Sequence, residues 1–292
     1  MIDFIKYSKL FILVSLVAVG IGIYGIISYG LKLSIEYTGG SVISLKNYES
    51  VPYIENIVFE KDIEIKEINE MDGLLTIKLN ETSNEKLADL QKELISNQVT
   101  QIEDFEIISP SYGAEFAKNS LIGVLLSLIV VVLFMAYSFY KVSGNLSPWS
   151  FGIAALVAML HDILITTSLF SYLGHFNNVE IDALFLTAIL TIIGFSINDT
   201  IVVFDRIREN LSKYQDSKSL SDICNISIFE TFNRSLTTSF TVVIIMFSLF
   251  TLGSGSIKYF SLALVVGLTA GTYSSIFIAT PLLLIINKYL KK

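Results

Sequence analysis

The carboxylate Asp199, in the stretch Ser196-Ile197-Asn198-Asp199-Thr200, interrupts an apolar run from Ala183 to Phe204. Holding an ionised carboxylate at mid-membrane depth costs on the order of 3 kcal/mol even on lenient insertion scales, so such a group pairs, protonates or lines a polar pathway. Desolvation there favours the neutral acid, and a nearby cation opposes that preference. A carboxyl set between these influences can load and unload a proton as access alternates. Thr187, Thr191, Gly194 and Asn198 recur beside it at 3- and 4-residue spacing. They form a small polar stripe expected to face other helices rather than lipid.

Two further groups invite the same chemistry. His161 and Asp162 set an imidazole, which shuttles protons, and a second carboxylate well inside another apolar run. Helix neighbours point about 100° apart, so the two are not expected to face one pathway squarely. Arg234 opens a third run, just before Leu236-Thr237-Thr238-Ser239, and its permanently charged guanidinium is the candidate partner for Asp199. Plainer roles compete in each case: a fixed ion pair for Asp199, interfacial anchoring for Arg234, and a structural hydrogen bond for His161 and Asp162.

The elements that must position these groups are membrane helices. Of the 292 residues, 52% are hydrophobic and 16% charged, against about 25% charged in an ordinary soluble domain. Crossing roughly 30 Å of hydrocarbon takes about 20 apolar residues in a helix. Six stretches qualify: Leu10 to Tyr29, Asn119 to Phe139, Ser150 to Leu173, Ala183 to Phe204, Leu236 to Leu252 and Leu262 to Ile286. The first follows Lys6 and Lys9 but is too long for a signal-peptide core and lacks an A-x-A site, so it reads as an uncleaved anchor.

Lys and Arg in short connections and tails set orientation. One side holds Lys6, Lys9, Lys141, Arg206, Arg208, Lys213, Lys218, Arg234, Lys288, Lys291 and Lys292, and the other only Lys258, eleven against one. Both termini are therefore expected in the cytoplasm, with Asp199 about six residues, roughly 9 Å, from the cytoplasmic end of its span.

The expected division is 1–30 as tail and first span, 31–118 as an extracytoplasmic domain, and 119–292 as a five-span bundle with a cytoplasmic loop at 205–235. From Gly30 to Lys118 there are 17 Asp and Glu against 8 Lys and Arg, a net −9 that exceeds the −7 of the whole chain. That acidity argues against nucleic acid as a ligand. The pattern reads as strand (Ser41 to Lys46), helix (Ser50 to Phe59), strand (Ile63 to Asn69), strand (Leu74 to Leu79), helix (Asn84 to Ser96) and strand (Ile102 to Ile108). Met71-Asp72-Gly73 supplies a hairpin turn and Ser83 an N-cap, and Leu87, Leu90 and Leu94 recur at helical spacing. This β-α-β-β-α-β order is ferredoxin-like. The loop at 205–235 alternates Arg206, Arg208 and Lys213 with Ile207 and Leu211, as short interfacial amphipathic helices do.

Other chemistries find little support. Two His and the single Cys224 cannot build a thiolate zinc site or an intramolecular disulfide. No G-x-x-x-x-G-K-[ST] occurs, so ATP hydrolysis is not expected, nor is a metal or cofactor. An ion gradient, worth roughly 2.3 kcal/mol per elementary charge per 100 mV, is the remaining energy source. Gly267-x-x-x-Gly271, followed by Ser274 and Ser275, gives the last span a face for close packing, internal or against a partner.

Several motifs carry a resemblance. Glu36-Tyr37-Thr38-Gly39-Gly40-Ser41 resembles the D-F-T-G-G-T element of the SecF family, the smaller membrane subunits of the SecD/SecF pair in bacterial protein export. Ser196 through Asn210, which includes Asp205-Arg206-Ile207-Arg208, is similar to that family's longest signature. His161-Asp162-Ile163-Leu164-Ile165-Thr166, Asn233-Arg234-Ser235-Leu236-Thr237-Thr238-Ser239 and Gly271-Thr272-Tyr273-Ser274-Ser275 match further elements in order. The resemblance implies half of a resistance-nodulation-division (RND) type assembly, paired with SecD, associated with the SecY/SecE/SecG channel, and with YajC and YidC as further partners. It implies translocating unfolded polypeptides as cargo and a proton pathway through Asp199 and Arg234, with further acidic groups supplied by SecD. Glu36-Tyr37 and Ser41 depart from the family's Asp-Phe and Thr. A lipid or small-solute exporter of the RND type, or a non-energised scaffold for SecD and the channel, would share the six spans.

Overall fold

The computed structural model describes residues 4–71, 73–79, 84–96, 101–140 and 146–290. Two compact units are present, one of Leu33–Leu121 and one of Met1–Lys32 with Ile122–Lys292. Asp72, Ser83, Lys141, Lys291 and Lys292, invoked above for a turn, a cap and the charge asymmetry, lie outside the described residues.

The first helix of the chain, α1 (Ser8–Tyr29), belongs to the larger unit. The smaller unit follows it with α2 (Ile35–Thr38), β1 (Gly40–Lys46), α3 (Val51–Glu60), β2 (Ile65–Met71), β3 (Leu74–Leu79), α4 (Asn84–Ser96) and β4 (Gln101–Ile108). Sheet order is β2-β3-β1-β4, with every neighbouring pair antiparallel. With α3 and α4 contributing to one core, this is the ferredoxin-like arrangement. The side-chain period of two puts Ile43 and Leu45 of β1 on the same face as Leu75, Ile77 and Leu79 of β3, in register Ile43 to Ile77 and Leu45 to Leu75. That face buries against Ile54, Ile57 and Val58 of α3 and Leu87, Leu90 and Leu94 of α4. β2 starts at Ile65 rather than Ile63, because Asp62, at φ 55°, turns the chain and leaves Ile63 buried as a plug before the ladder begins.

Thr38, Gly39 and Gly40 form the turn between α2 and β1. Gly39 has φ 73° and Gly40 φ 130°, a conformation that favours glycine. A Cβ on Gly39 would lie 2.5 Å from Pro110 Cα, so the first glycine also permits a close backbone approach. Thr38 Oγ1 donates to the Ser34 carbonyl at 3.1 Å and closes the turn.

The larger unit is helical: α1, then α5 (Pro110–Ser138, whose first turns belong to the smaller unit), α6 (Pro148–Asn177), α7 (Ala183–Tyr214), α8 (Leu220–Leu252), α9 (Gly255–Ser274), a π-helical turn (Ser275–Ala279) and α10 (Thr280–Leu290). Six helices are long and apolar enough to cross a membrane, the sixth running from Gly255 to Tyr289 through the π turn. α9 packs against α6, α7 and α8. The Gly267 and Gly271 pair serves this internal contact: a Cβ on Gly267 would sit 2.1 Å from Ile192 Cδ1, and one on Gly271 would sit 3.3 Å from Ser196 Cβ.

The expected 205–235 loop with short amphipathic helices is corrected. α7 continues past Phe204 to Tyr214, and α8 begins at Leu220 rather than Leu236, so only residues 215–219 separate two long helices. Charge ends a membrane span but not a helix. Arg208 pairs with Asp205 at 2.5 Å and Lys213 with Glu209 at 2.6 Å, the i,i+3 and i,i+4 spacings that sustain a helix in water. Ser219 caps α8 by accepting from the Asp222 N–H. Arg206 Nε donates to Glu230 Oε2 at 2.6 Å, and Asn210 Nδ2 to the same oxygen at 2.7 Å, clamping the two extensions together.

Candidate functional site

Two carboxylates from α6 and α7 are buried beside the serine- and threonine-rich end of α9. Asp199, 6% exposed, accepts at Oδ2 from Ser239 Oγ of α8 at 3.0 Å and from Thr272 Oγ1 of α9 at 3.4 Å. Asp162, fully buried, accepts at Oδ2 from Ser196 Oγ of α7 at 2.6 Å and from Ser274 Oγ of α9 at 2.9 Å. Its Oδ1 lies 3.0 Å from His161 Nδ1. Between the two, Thr200 Oγ1 and Ser275 Oγ are 2.9 Å apart, joining α7 to the start of the π turn. π turns are often found at functional sites.

The helix faces follow from the spacing. On α7, Ser196, Asp199, Thr200 and Val203 are buried, which is one face at 3- and 4-residue intervals. On α9, Thr272 reaches Asp199 and Ser274 reaches Asp162, and glycine at 271 lets α7 come near. Hydroxyls suit this place chemically. Each both donates and accepts, so it can hold a carboxylate or a carboxylic acid by rotating one bond.

The expected partnership of Asp199 with Arg234 is corrected. Arg234 is exposed, and among the described residues no ion pair joins it to Asp199. Arg234 and Ser239 are five residues apart on α8, which turns their side chains about 140° from each other, and it is Ser239 that faces Asp199. The polar stripe is corrected too. Thr187, Gly194 and Asn198 are exposed, and the Thr187 and Thr191 hydroxyls donate to the Ala183 and Thr187 carbonyls of their own helix. The stripe lies on the side of α7 away from α9. His161 and Asp162 meet each other directly, because the imidazole is long enough to fold back onto its neighbour's carboxylate. Asp205, Arg206 and Arg208 belong to the helix-extension network, and Thr38, Gly39 and Gly40 to the turn in the smaller unit. Ser239, Thr272, Ser196 and Ser274 were not assigned as ligands of the carboxylates. Their hydroxyls were visible within the motifs, but nothing local says which residue each one faces.

The family profile described as "Protein export membrane protein SecD/SecF, C-terminal" matches residues 88–289. The chain belongs to this family. A protein translocase subunit SecF of Thermobaculum terrenum is 36% identical over 97% of this chain and 93% of its own length. The SecF of Haemophilus influenzae is 33% identical over 95% of this chain and 83% of its own. Among solved structures, a SecDF described as a translocon-associated membrane protein from Thermus superposes with a TM-score of 0.84 at 29% identity, covering 98% of this chain. SecDF in a super-membrane-facing form superposes at 0.68 with 28% identity and 99% coverage. This chain spans 39% of each of those two SecDF chains. It is thus a multi-pass membrane subunit of the SecF type, with a Sec auxiliary role.

Proposed function

We propose that this chain pairs with a SecD subunit and uses proton flow through Asp199 to assist late-stage export of unfolded polypeptides across the cytoplasmic membrane. The SecY/SecE/SecG channel, with YajC and YidC nearby, is the proposed setting. Both termini lie in the cytoplasm and the 31–118 domain on the far side, a reading supported by the distribution of Lys and Arg.

The observation that carries the ion assignment is the surroundings of Asp199: two neutral hydroxyls, from Ser239 and Thr272, and no cation among the described residues. A carboxyl so placed changes charge at low cost in rearrangement, since its hydroxyl neighbours serve either state. A sodium cage completed by Asn198 and Thr200 is disfavoured, because Asn198 is exposed and Thr200 bonds Ser275 and the Ser196 carbonyl. The exposed Arg234, on α8 beside the site, is available to a carboxylate of SecD or to Asp199 in another state of the cycle. His161 and Asp162 form a second proton-holding pair, joined to α7 and α9 through Ser196 and Ser274. Two inward protons at about 150 mV release roughly 7 kcal/mol, enough to bias a rearrangement of a few kcal/mol.

The test is late-stage export in inner-membrane vesicles carrying SecD and this chain, wild type against Asp199→Asn, with and without an imposed proton gradient. The proton reading expects the gradient to accelerate export only when Asp199 is present. An Asp199→Asn chain that responds as wild type sinks that reading and leaves the scaffold role.

A further inference from the structure

Three consecutive residues at the end of α9 bond three different helices. Thr272 Oγ1 donates to Asp199 of α7, and Ser274 Oγ donates to Asp162 of α6. Between them, the Tyr273 hydroxyl donates to the backbone carbonyl of Phe11 in α1 at 2.8 Å and accepts from Ser15 Oγ, one turn further along α1, at 3.3 Å. Neighbours on a helix point about 100° apart, so the three side chains leave α9 in three directions, and a register of α9 that suits one must suit all three. We propose that Tyr273 is a positioning residue that couples the charge state of Asp199 to α1, the helix that runs into the ferredoxin-like unit beginning at Leu33. The proposal rests on the proton reading of Asp199 given above.

The way α1 is held gives this one hydroxyl its weight. α1 is buried at Ser15, Gly22 and Gly25 and exposes Leu13, Leu16, Val17 and Ile21. Gly22 and Gly25 lie against Ser168 and Tyr172 of α6, where there is no room for a Cβ, and the Tyr172 hydroxyl donates to the Ile21 carbonyl at 2.9 Å. Those contacts keep the second half of α1 on α6. The first half meets α9 instead, and among the described residues both hydrogen bonds between α1 and α9 pass through Tyr273. The Tyr273 ring also stacks 6.2 Å from His161, the neighbour that faces Asp162.

Transmission between sites needs an element with two arrangements. The π turn that starts at Ser275 supplies it. Its bonds run from i to i+5, so moving the turn one position along the helix re-aims the residue it crosses by about 100°. Ser274 and then Tyr273 are the first residues crossed toward the start of α9. A charge-assisted hydrogen bond is roughly twice as strong as a neutral one, so protonation of Asp199 weakens its hold on Thr272 and loosens this end of α9. Tyr273 hands the resulting displacement to α1.

Two rates measured side by side test the coupling. Inverted inner-membrane vesicles carrying SecD and this chain are given an acid lumen, and late-stage export is followed together with decay of the pH difference, read by a lumenal pH dye. Asp199→Asn sets the level of each that does not depend on the carboxylate. Tyr273→Phe keeps the ring and removes the hydroxyl. It is expected to retain most of the Asp199-dependent proton flow while losing gradient stimulation of export several-fold. Ser15→Ala, which removes the longer of the two bonds, is expected to shift in the same direction by less. If Tyr273→Phe fails to accumulate, Ser15→Ala decides by the same comparison. Wild-type stimulation of export in Tyr273→Phe overturns the coupling and leaves the proton reading standing. So does a loss of proton flow in proportion to the loss of stimulation, the signature of a residue that only builds the site. An Asp199→Asn chain with wild-type proton flow removes the proton reading and the coupling together.

Discussion

The two units are held together by different physics, and the contrast explains where chemistry resides. In the ferredoxin-like unit, alternation along β1 and β3 buries Ile43, Leu45, Leu75, Ile77 and Leu79 against two helices, and the charged residues point away. Apolar area removed from water, at roughly 25 cal/mol per Å², drives that arrangement. In the helical unit the surroundings are already apolar, so the same term does not select partners. There close approaches at glycine and bonds between hydroxyls and carboxylates add to an apolar core that includes Phe139, Phe151 and Phe204, and Asp162 and Asp199 point inward. A buried carboxylate is a defect in the first kind of core. In the second each carboxylate is an organising centre that draws hydroxyl donors from two neighbouring helices.

The largest expected effect comes from inserting bulk where the helical unit is tightest. Gly267→Leu should prevent α9 from seating on Ile192 and leave the chain susceptible to membrane proteases. Gly194→Leu should be tolerated, because a Cβ at that position would meet nothing within 4 Å. Steady-state abundance in pulse-chase labelling reads both, and equal loss in the two variants would break the contrast between inner and outer faces.

Next in size, Leu90→Ala should cost the smaller unit about 2–5 kcal/mol, the usual range for a buried Leu, and expose it to proteolysis in the intact chain. Unchanged protection would contradict the burial-driven core. Ser239→Ala should leave abundance unaffected but remove a charge-assisted bond worth about 1.5–3 kcal/mol, and so reduce gradient-stimulated export more than Thr272→Val, whose bond is longer. The reverse order would assign the main donor to α9.

Smaller still is the helix-extension clamp. Glu230→Gln weakens an exposed pair, worth about 0.2–1 kcal/mol, and should leave export near wild type. A large loss would mean that the clamp sets the register of α7 on α8 at Asp199. The smallest effect concerns Glu106, whose carboxyl is pushed above the usual range by partial burial and then by Asp104 and Glu36. The folded unit therefore binds this proton more readily than the unfolded chain does, and its stability rises as pH falls through the raised value. Glu106→Gln should make the unit slightly more protease-resistant at neutral pH, with the advantage shrinking toward acid. A gain that persisted at low pH would show that charge is not the cause.

Local periodicity made much of the architecture readable. Leu74–Leu79 and Asn84–Ser96 coincide with β3 and α4, since period-two and period-3.6 patterns are written within a few residues. Hydropathy found six spans but misjudged the ends of α7 and α8, because it reports where lipid stops rather than where backbone hydrogen bonding stops. At the site, the identity of Asp199, Asp162 and His161 was legible from their position in apolar runs. Their ligands were not. The stripe assigned to Asn198 and Thr187 had the right spacing and the wrong face.

Sequence alone determined that this chain has six spans, an acidic ferredoxin-like unit after the first of them, and a carboxylate that a membrane does not tolerate without purpose. Only the tertiary structure decided that Asp199 meets Ser239 and Thr272 instead of Arg234, and that Asp162 meets Ser196 and Ser274. Those contacts bridge 34 to 112 positions of chain. They depend on how far four helices rotate and slide against one another, with α9 brought onto α7 by close packing at Gly267 and Gly271, and this leaves no periodic trace in any one helix.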